Sequence, residues 1–184
     1  MVEVLDGLGV TYFLGGSVAS SVHGVPRASI DADVIADLGV VHVAPFVSRL
    51  SSEFYLDEAR VRSAVNLRRS FNVIHLDTMF KVDVFVNKGR PYDKEALRRA
   101  QATPLEDSPG APAFRVATPE DTVLAKLEWF RAGGETSQRQ WTDILGVLRS
   151  AAAGLDEKYL GTWAAALGVA DLLRRAREDA LDRG

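Results

Sequence analysis

The chain has 184 residues, of which 47% are hydrophobic and 26% are charged. This size and composition predict one globular domain with its own core and exclude a disordered chain. The absence of cysteine excludes disulfide bonds, thiolate metal sites and a cysteine nucleophile. Three histidines argue against a histidine-rich zinc site. The net charge of −3 disfavours a protein held to nucleic acid mainly by charge.

The N-terminal segment and the longest apolar stretch both indicate a protein without a membrane partner. Residues 1–6 carry no basic side chain, so they do not predict a signal peptide. Residues 10–22 are nearly apolar, but they are too few to span a bilayer and are interrupted by Gly15-Gly16-Ser17. We therefore expect a cytoplasmic protein, and the lack of cysteine fits that compartment.

Strands and helices alternate in the first part of the chain, to about residue 90. Short apolar or alternating runs predict strands, and apolar residues at helical spacing predict helices. The predicted strands are 10–14, 30–36, 71–75 and 80–86, and the predicted helices are 17–23 and 40–50. Residues 101–113 contain three prolines and a glycine and are predicted to form a loop or linker.

Amphipathic helices are predicted after this loop. Thr118 before Pro119 predicts the N-cap of one helix, and Ser137 with Gln140 predicts the start of the next. Two more helices are predicted over 156–167 and 169–181. The tryptophans of this region fall at helical positions and are predicted to be packing residues rather than base-stacking platforms: Trp129, Trp141 and Trp163.

The order of these elements predicts an α/β (α+β) fold class. We expect a mixed β-sheet head with helices over residues 1–113, followed by a C-terminal helical bundle over residues 114–184.

A glycine-rich turn, Gly15-Gly16-Ser17, stands between the first predicted strand and the first predicted helix. Glycines let the backbone approach a ligand closely, and a helix N-terminus presents free N–H groups to a phosphate. Ser17 adds a hydroxyl. The same tripeptide is also common in ordinary turns, so a phosphate-binding loop and a plain turn both remain open at this point.

Three aspartates fall on two predicted strands. Asp31 and Asp33 lie two residues apart, so their side chains point to the same face, where like charges repel each other. Asp83 lies in the middle of a later strand, on the face opposite its apolar residues. Each acid alone is compatible with a polar outward face. Together they are the ligand set that two-metal phosphoryl or nucleotidyl transfer requires, with Mg²⁺ (or Mn²⁺) as the ion.

The turn, the Asp31-x-Asp33 strand and the later strand with Asp83 resemble the DNA polymerase β-type nucleotidyltransferase superfamily, over about residues 10–87. The signature of that superfamily is a Gly-Gly/Ser turn, an Asp-x-Asp strand and a third carboxylate on another strand. The resemblance implies a nucleotidyltransferase-type sheet, a nucleoside triphosphate as substrate and a metal-dependent transferase activity.

A finer resemblance is to small bacterial nucleotidyltransferases related to the AbiEii abortive-infection toxins. In those proteins a helix with an inward Lys precedes a helix that carries an Asp. Lys126 and Asp143 occupy similar places in this chain. From the residues alone, Lys126 reaches inward or lies at the rim of the core, and a solvated Asp143 is favoured.

The resemblance implies a role for each candidate residue. Asp31, Asp33 and Asp83 bind the metal ions, and Asp83 also helps to activate the acceptor hydroxyl. The nucleotide-binding residues are then Gly15, Gly16, Ser17, Arg27, Lys126 and Asp143. Arg27 has an alternative role, because it lies close enough in sequence to pair with one of the acids.

A local basic cluster follows the second predicted helix and comprises Arg60, Arg62, Arg68 and Arg69. Such a cluster can steer RNA or another phosphate-bearing acceptor. The acidic net charge instead favours a solvated charged segment.

The function expected from these observations is transfer of NMP from an NTP to a hydroxyl of RNA, protein or a small molecule. A toxin–antitoxin or phage-defence setting is one context for such an enzyme. The alternatives are a non-catalytic nucleotide-binding or toxin-partner interaction domain, which implies a protein partner, and a metal-dependent phosphohydrolase. The glycine-rich turn ahead of the acids favours transfer over hydrolysis.

Overall fold

The computed structural model describes residues 1–105, 108 and 110–182. The strands are β1 (Tyr12–Leu14), β2 (Asp31–Ala36), β3 (Phe54–Tyr55), β4 (Ser70–His75), β5 (Lys81–Val86), β6 (Gln101–Pro104) and β7 (Ala113–Val116). The helices are α1 (Val2–Gly7), α2 (Gly16–His23), α3 (Val40–Leu50), α4 (Glu58–Leu67), α5 (Pro91–Arg99), α6 (Pro119–Ala132), α7 (Gln138–Ser150), α8 (Glu157–Ala166) and α9 (Ala170–Asp182).

The strands form one mixed sheet in the order β3-β4-β5-β2-β1-β7-β6. β2 is the central strand, pairing antiparallel with β1 and parallel with β5. In the β2–β5 register, Asp33 lies opposite Asp83 and Asp31 lies opposite Lys81. The mixed α/β class predicted from the sequence is therefore confirmed, and β2 is not an exposed edge strand.

Alternation along β5 gives the sheet two different faces. Val82, Val84 and Val86 are buried, whereas Lys81, Asp83 and Phe85 between them are half-buried. The buried face packs against α3, where the rings of Phe46 and Phe71 meet edge to face at 6.1 Å. The half-buried face carries the acids and is left for the C-terminal helices to cover.

Caps fix the starts of the two helices that cover the acidic face. The Thr118 side chain accepts a hydrogen bond from the Asp121 backbone N–H at the start of α6. The Ser137 side chain does the same for the Gln140 N–H at the start of α7. Both predicted helix starts are confirmed. α6 and α7 pack against each other and against α2, so the tail meets the glycine-rich turn.

The prediction that residues 101–113 form only a loop is wrong at its first four residues and at Ala113, where β7 begins. Residues 101–104 form β6, which pairs antiparallel with β7 at the edge of the sheet. Pro104 is tolerated there because an edge strand does not need every N–H for pairing. Five further elements were not predicted from the sequence, namely α1, α4, α5, β3 and β7.

The division at residue 113 stays a prediction, and the chain crosses it within β7, which pairs parallel with β1. Residues 106, 107 and 109 of the predicted loop, and residues 183 and 184 of the predicted tail, lie outside the described residues. In the described part of the chain, no helix combines the length and apolar character that a membrane span needs.

Candidate functional site

The three predicted acids meet on the half-buried face of the sheet. Asp33 and Asp83 lie opposite each other on the parallel strands β2 and β5, and Asp31 precedes Asp33 on the same face. Burial raises the pKa of Asp33, and the charges of Asp31 and Asp83 raise it further, partly opposed by Lys126 and Lys81. The fold therefore concentrates negative charge at one point, at a cost to the stability of the protein.

Two side chains that sequence analysis did not assign to the site hold the Asp83 carboxylate. The Lys81 ammonium lies 2.8 Å from Asp83 Oδ2 and 3.8 Å from Asp31 Oδ2, and its hydrogen bond to Asp83 raises the pKa of Lys81. The Asn72 amide donates a hydrogen bond to Asp83 Oδ1. The sequence did contain a signal for Lys81. Side chains alternate between the two faces of β5, and this alternation puts Lys81 on the same face as Asp83.

The donor set suits a hard divalent cation, because carboxylate oxygens are the ligands that Mg²⁺ prefers. Across residues 1–105, 108 and 110–182, no group of three or more His, Asp or Glu side chains has an arrangement that could hold a metal ion. The Lys81 ammonium instead supplies positive charge to Asp31 and Asp83. Metal binding by Asp31, Asp33 and Asp83 stays a prediction that their chemistry fits.

The glycine-rich turn is attached directly to the acidic strand. The Gly15 N–H donates to the Asp33 carbonyl at 2.9 Å. Ser17, which is buried near the start of α2, shares a hydrogen bond of 2.7 Å with the Ser29 hydroxyl. Ser29 also donates to Asp31 Oδ1 at 3.0 Å. The start of α2 and the acids are thus fixed relative to each other.

Lys126, Asp143 and Arg27 form a second charged group, beside α2. Lys126 Nζ donates to Asp143 Oδ2 at 2.8 Å, and both side chains are only 10% exposed. Arg27 donates two hydrogen bonds to the same carboxylate, at 3.2 and 3.0 Å. Burial raises the pKa of Asp143, but the hydrogen bonds from Arg27 and Lys126 outweigh it and leave the pKa below its ordinary value.

The contacts within this group decide between the alternatives that the sequence left open for Lys126, Asp143 and Arg27. Lys126 is buried and points inward, so its placement at the rim of the core is wrong. The interpretation of Asp143 as a solvated carboxylate is also wrong. Arg27 pairs with Asp143, so pairing with Asp31 or Asp33 is not what the structure shows. Two cations on one carboxylate leave the group with positive charge.

A cavity of about 430 Å³ lies between the acidic face of the sheet and the helices α6 and α7. Every predicted site residue except Asp83 lines it, namely Gly15, Gly16, Ser17, Arg27, Asp31, Asp33, Lys126 and Asp143. The lining therefore includes the turn, two acids and the Lys126–Asp143–Arg27 group. Asp83 is not in the lining but lies opposite Asp33 in the sheet.

Two aromatic residues also line the cavity. Phe85, two residues after Asp83, and Trp129, three residues after Lys126, meet edge to face with ring centroids 5.7 Å apart. Trp129 is 54% exposed, so the prediction that it is a packing residue is wrong. The sequence did contain a signal for this position of Trp129. It lies three residues after Lys126, and residues three apart share a helix face.

The solved structures that resemble this fold include three with a TM-score above 0.5. One is the solution structure of the antibiotic-resistance factor ANT(2'')-Ia (TM-score 0.52, 14% identity, covering 99% of this chain and 91% of that one). The crystal structure of ANT(2'')-Ia with adenylyl-2''-tobramycin gives 0.53 at 13% identity, with 90% and 91% covered. An antigenic nucleotidyltransferase-like protein from Paracoccidioides brasiliensis gives 0.55 at 15% identity, with 98% and 88% covered.

These likenesses show that the chain has a nucleotidyltransferase-type mixed α/β fold. The sequence itself matches no family model. It also has no significant match among curated proteins.

Proposed function

We propose that this protein is a metal-dependent nucleotidyltransferase that transfers NMP from an NTP to a hydroxyl and releases pyrophosphate. The observation that carries the proposal is the position of Asp31, Asp33 and Asp83 on one face of the sheet, beside the Gly15-Gly16-Ser17 turn. The nucleotidyltransferase-type fold supports it.

The cavity accepts the nucleotide with its triphosphate at the turn. Backbone N–H groups at the start of α2 and the Ser17 hydroxyl donate to the phosphates. Lys126 and Arg27 add positive charge that the single carboxylate of Asp143 does not cancel. The nucleobase then lies towards Trp129, whose exposed ring offers a stacking surface.

The acids carry the chemistry. Asp31, Asp33 and Asp83 hold Mg²⁺ or Mn²⁺, which when bound offsets the charge of the phosphates and of the attacking oxygen. The Asp83 carboxylate accepts the proton of the acceptor hydroxyl, and Asn72 and Lys81 hold this carboxylate in place. No side chain needs to form a covalent bond to the nucleotide, since the acceptor oxygen attacks the phosphorus directly.

Kinship with the AbiEii-related nucleotidyltransferases is part of the proposal. The contact between the inward Lys126 of α6 and Asp143 of α7 supports it, because these are the two helical positions of the resemblance. A toxin–antitoxin or phage-defence role follows only from that kinship. ANT(2'')-Ia, whose fold is similar, is an antibiotic-resistance factor and has been solved with adenylyl-2''-tobramycin. A small-molecule hydroxyl is therefore an acceptor to test beside RNA and protein.

The test is labelling of a cell lysate with each radioactive NTP, with Mg²⁺ or Mn²⁺ and with EDTA. Asp31→Asn and Asp33→Asn are expected to keep the fold and lose transfer. Asp37→Asn, an exposed acid directly after β2, is the matched control and is expected to retain transfer. Metal-dependent NTP binding without any labelled product identifies the non-catalytic alternative. Equal NTP affinity with metal and with EDTA contradicts the metal site.

A further inference from the structure

A second cavity, of about 630 Å³, lies on the β4 side of Asp83, between α4 and the sheet. Its walls include Asn72 and Lys81, the two side chains that hold the Asp83 carboxylate. The nucleotide cavity lies on the other side of Asp83, against β2 and α2. Asp83 therefore stands between two cavities and is coupled to the second one through hydrogen bonds.

The second cavity is basic. Arg60 and Arg69 line it and are exposed, and neither guanidinium has an ion pair or hydrogen bond within residues 1–105, 108 and 110–182. Lys81 also lines the cavity, with its charge paired to Asp83 and Asp31. The one acid in the lining, Asp57, is the N-cap of α4 and accepts a hydrogen bond from the Arg60 backbone N–H. An anionic group entering this cavity meets more positive than negative charge.

The four-arginine cluster of the sequence thus divides into two pairs. Arg62 pairs with Glu58 along α4, and the Arg68 guanidinium donates to the Asn87 carbonyl at 2.5 Å. These two arginines have partners in the fold. The other two, Arg60 and Arg69, line the cavity beside Asp83. Two of the four arginine charges of this segment therefore lie in the wall of the second cavity.

We infer that this cavity binds the acceptor and that the acceptor carries a phosphate near its reacting hydroxyl. The inference rests on the proposed nucleotidyltransferase function. Guanidinium forks match phosphate oxygens in geometry and charge. A phosphate held by Arg60 and Arg69 leaves the rest of the acceptor towards Asn72, Lys81 and Asp83. Tyr55, an exposed ring in the same wall, offers a face to a sugar or base.

The positions of the two cavities suit an in-line displacement. The acceptor oxygen, arriving from the β4 side, forms a bond to the α-phosphorus of the NTP. The bond between that phosphorus and the bridging oxygen breaks, and pyrophosphate leaves on the α2 side. The hydroxyl proton passes to Asp83 and then to solvent. An in-line displacement requires the attacking and leaving oxygens to lie on opposite sides of the phosphorus. The two cavities meet this requirement in the proposed arrangement, because the acceptor enters from one side of Asp83 and the triphosphate lies on the other.

The experiment measures binding of two phosphate-bearing probes, a short fluorescent single-stranded oligoribonucleotide and ribose 5-phosphate. The double variant Arg60→Ala/Arg69→Ala is compared with Arg62→Ala, an arginine of the same helix that has its own partner. The double variant is expected to bind the oligoribonucleotide about tenfold or more weakly. The slope of log affinity against log salt concentration is expected to become shallower by about 0.7 for each phosphate contact that is lost. Arg62→Ala is expected to match the unmodified protein.

The two probes separate the sources of the phosphate. Binding of the oligoribonucleotide alone, lost in the double variant, assigns the cavity to RNA. Binding of ribose 5-phosphate as well, lost in the same variant, assigns it to phosphorylated small molecules. If neither probe binds, or if the double variant binds both as tightly as the unmodified protein, the inference is overturned. NTP binding with metal is measured on the same samples, and its retention shows that the proposed function survives such a failure.

Discussion

Gly16 and Asp33 are in such close contact that no side chain fits between them. A β-carbon on Gly16 would lie 1.6 Å from Asp33 Oδ2, and Gly16 has a left-handed backbone with φ of 51°. The glycine is required both by its conformation and by the carboxylate packed on it. The glycine-rich turn, which is the proposed phosphate site, and Asp33, a proposed metal ligand, therefore form one structural unit.

Replacing Gly16 with alanine is expected to abolish NTP binding and transfer. The methyl group has to displace the Asp33 carboxylate or the turn, and either shift disrupts the site. Gly134→Ala is the matched control, since Gly134 also has a positive φ, but a β-carbon added there would meet no atom of the described residues within 4 Å. Calorimetry of NTP binding checks both variants. Retained affinity in Gly16→Ala shows that NTP binding does not depend on the contact between the turn and Asp33.

Asp33→Asn is expected to stabilise the metal-free protein, by about 0.5 to 2 kcal/mol. Asp33 is half-buried and faces Asp31 and Asp83, so removing its charge relieves repulsion. Thermal melts in metal-free buffer measure the change, with the exposed Asp37→Asn as the control. A lower melting temperature for Asp33→Asn shows that this acid is a structural residue instead.

Lys81→Met is expected to raise the affinity of the nucleotide-free protein for Mn²⁺ severalfold. The ammonium pairs with Asp31 and Asp83 and competes with any other cation for their oxygens. Titration calorimetry with Mn²⁺ measures the effect, and Lys158→Met, at an exposed lysine of α8, controls for the loss of a surface charge. Unchanged or weaker Mn²⁺ binding shows that Lys81 does not compete for the acids.

Asp143→Asn is expected to destabilise the protein at neutral pH by about 2 kcal/mol, because Lys126 and Arg27 lose a charged acceptor. The folded pKa of Asp143 is lowered, so its contribution to stability is complete above the ordinary carboxyl value of 3.8 and is lost as the pH falls through the lower folded value. Melting temperatures of the two proteins should therefore converge in acid.

The control for this pH dependence is Asp171→Asn. Asp171 pairs with Arg131 at the surface, where its side chain is 59% exposed and the ion pair contributes little. If the difference in melting temperature between Asp143→Asn and the unmodified protein stays constant down to low pH, Asp143 has no ionic role in stability.

Trp129→Ala is expected to weaken NTP binding by about 1 to 3 kcal/mol, the usual contribution of a base stacked on an aromatic ring. The melting temperature should change little, because half of this side chain is exposed. Trp129→Phe keeps an aromatic surface and is expected to recover part of the affinity. Equal NTP affinity in all three proteins removes Trp129 from the nucleotide site.

Local rules were enough to predict much of this protein. Strand alternation put Asp31 and Asp33 on one face, and the apolar period of β5 put Asp83 and Lys81 on its other face. Thr118 and Ser137 identified the starts of α6 and α7, because a cap depends on residues only three positions away. The glycine-rich turn was visible for the same reason, since its backbone requirement is local.

Other features needed the tertiary structure, because they join residues that are distant in sequence. Only the β2–β5 pairing places Asp33 opposite Asp83, and only the packing of α6 and α7 on α2 buries Lys126 against Asp143 and Arg27. The same packing leaves Trp129 open to the cavity although its helical position resembles that of a core residue. Within one basic segment, Arg62 finds a partner on its own helix whereas Arg60 and Arg69 line the cavity beside Asp83. Sequence spacing determines the face on which a side chain lies, and the long-range packing of strands and helices determines what that face meets.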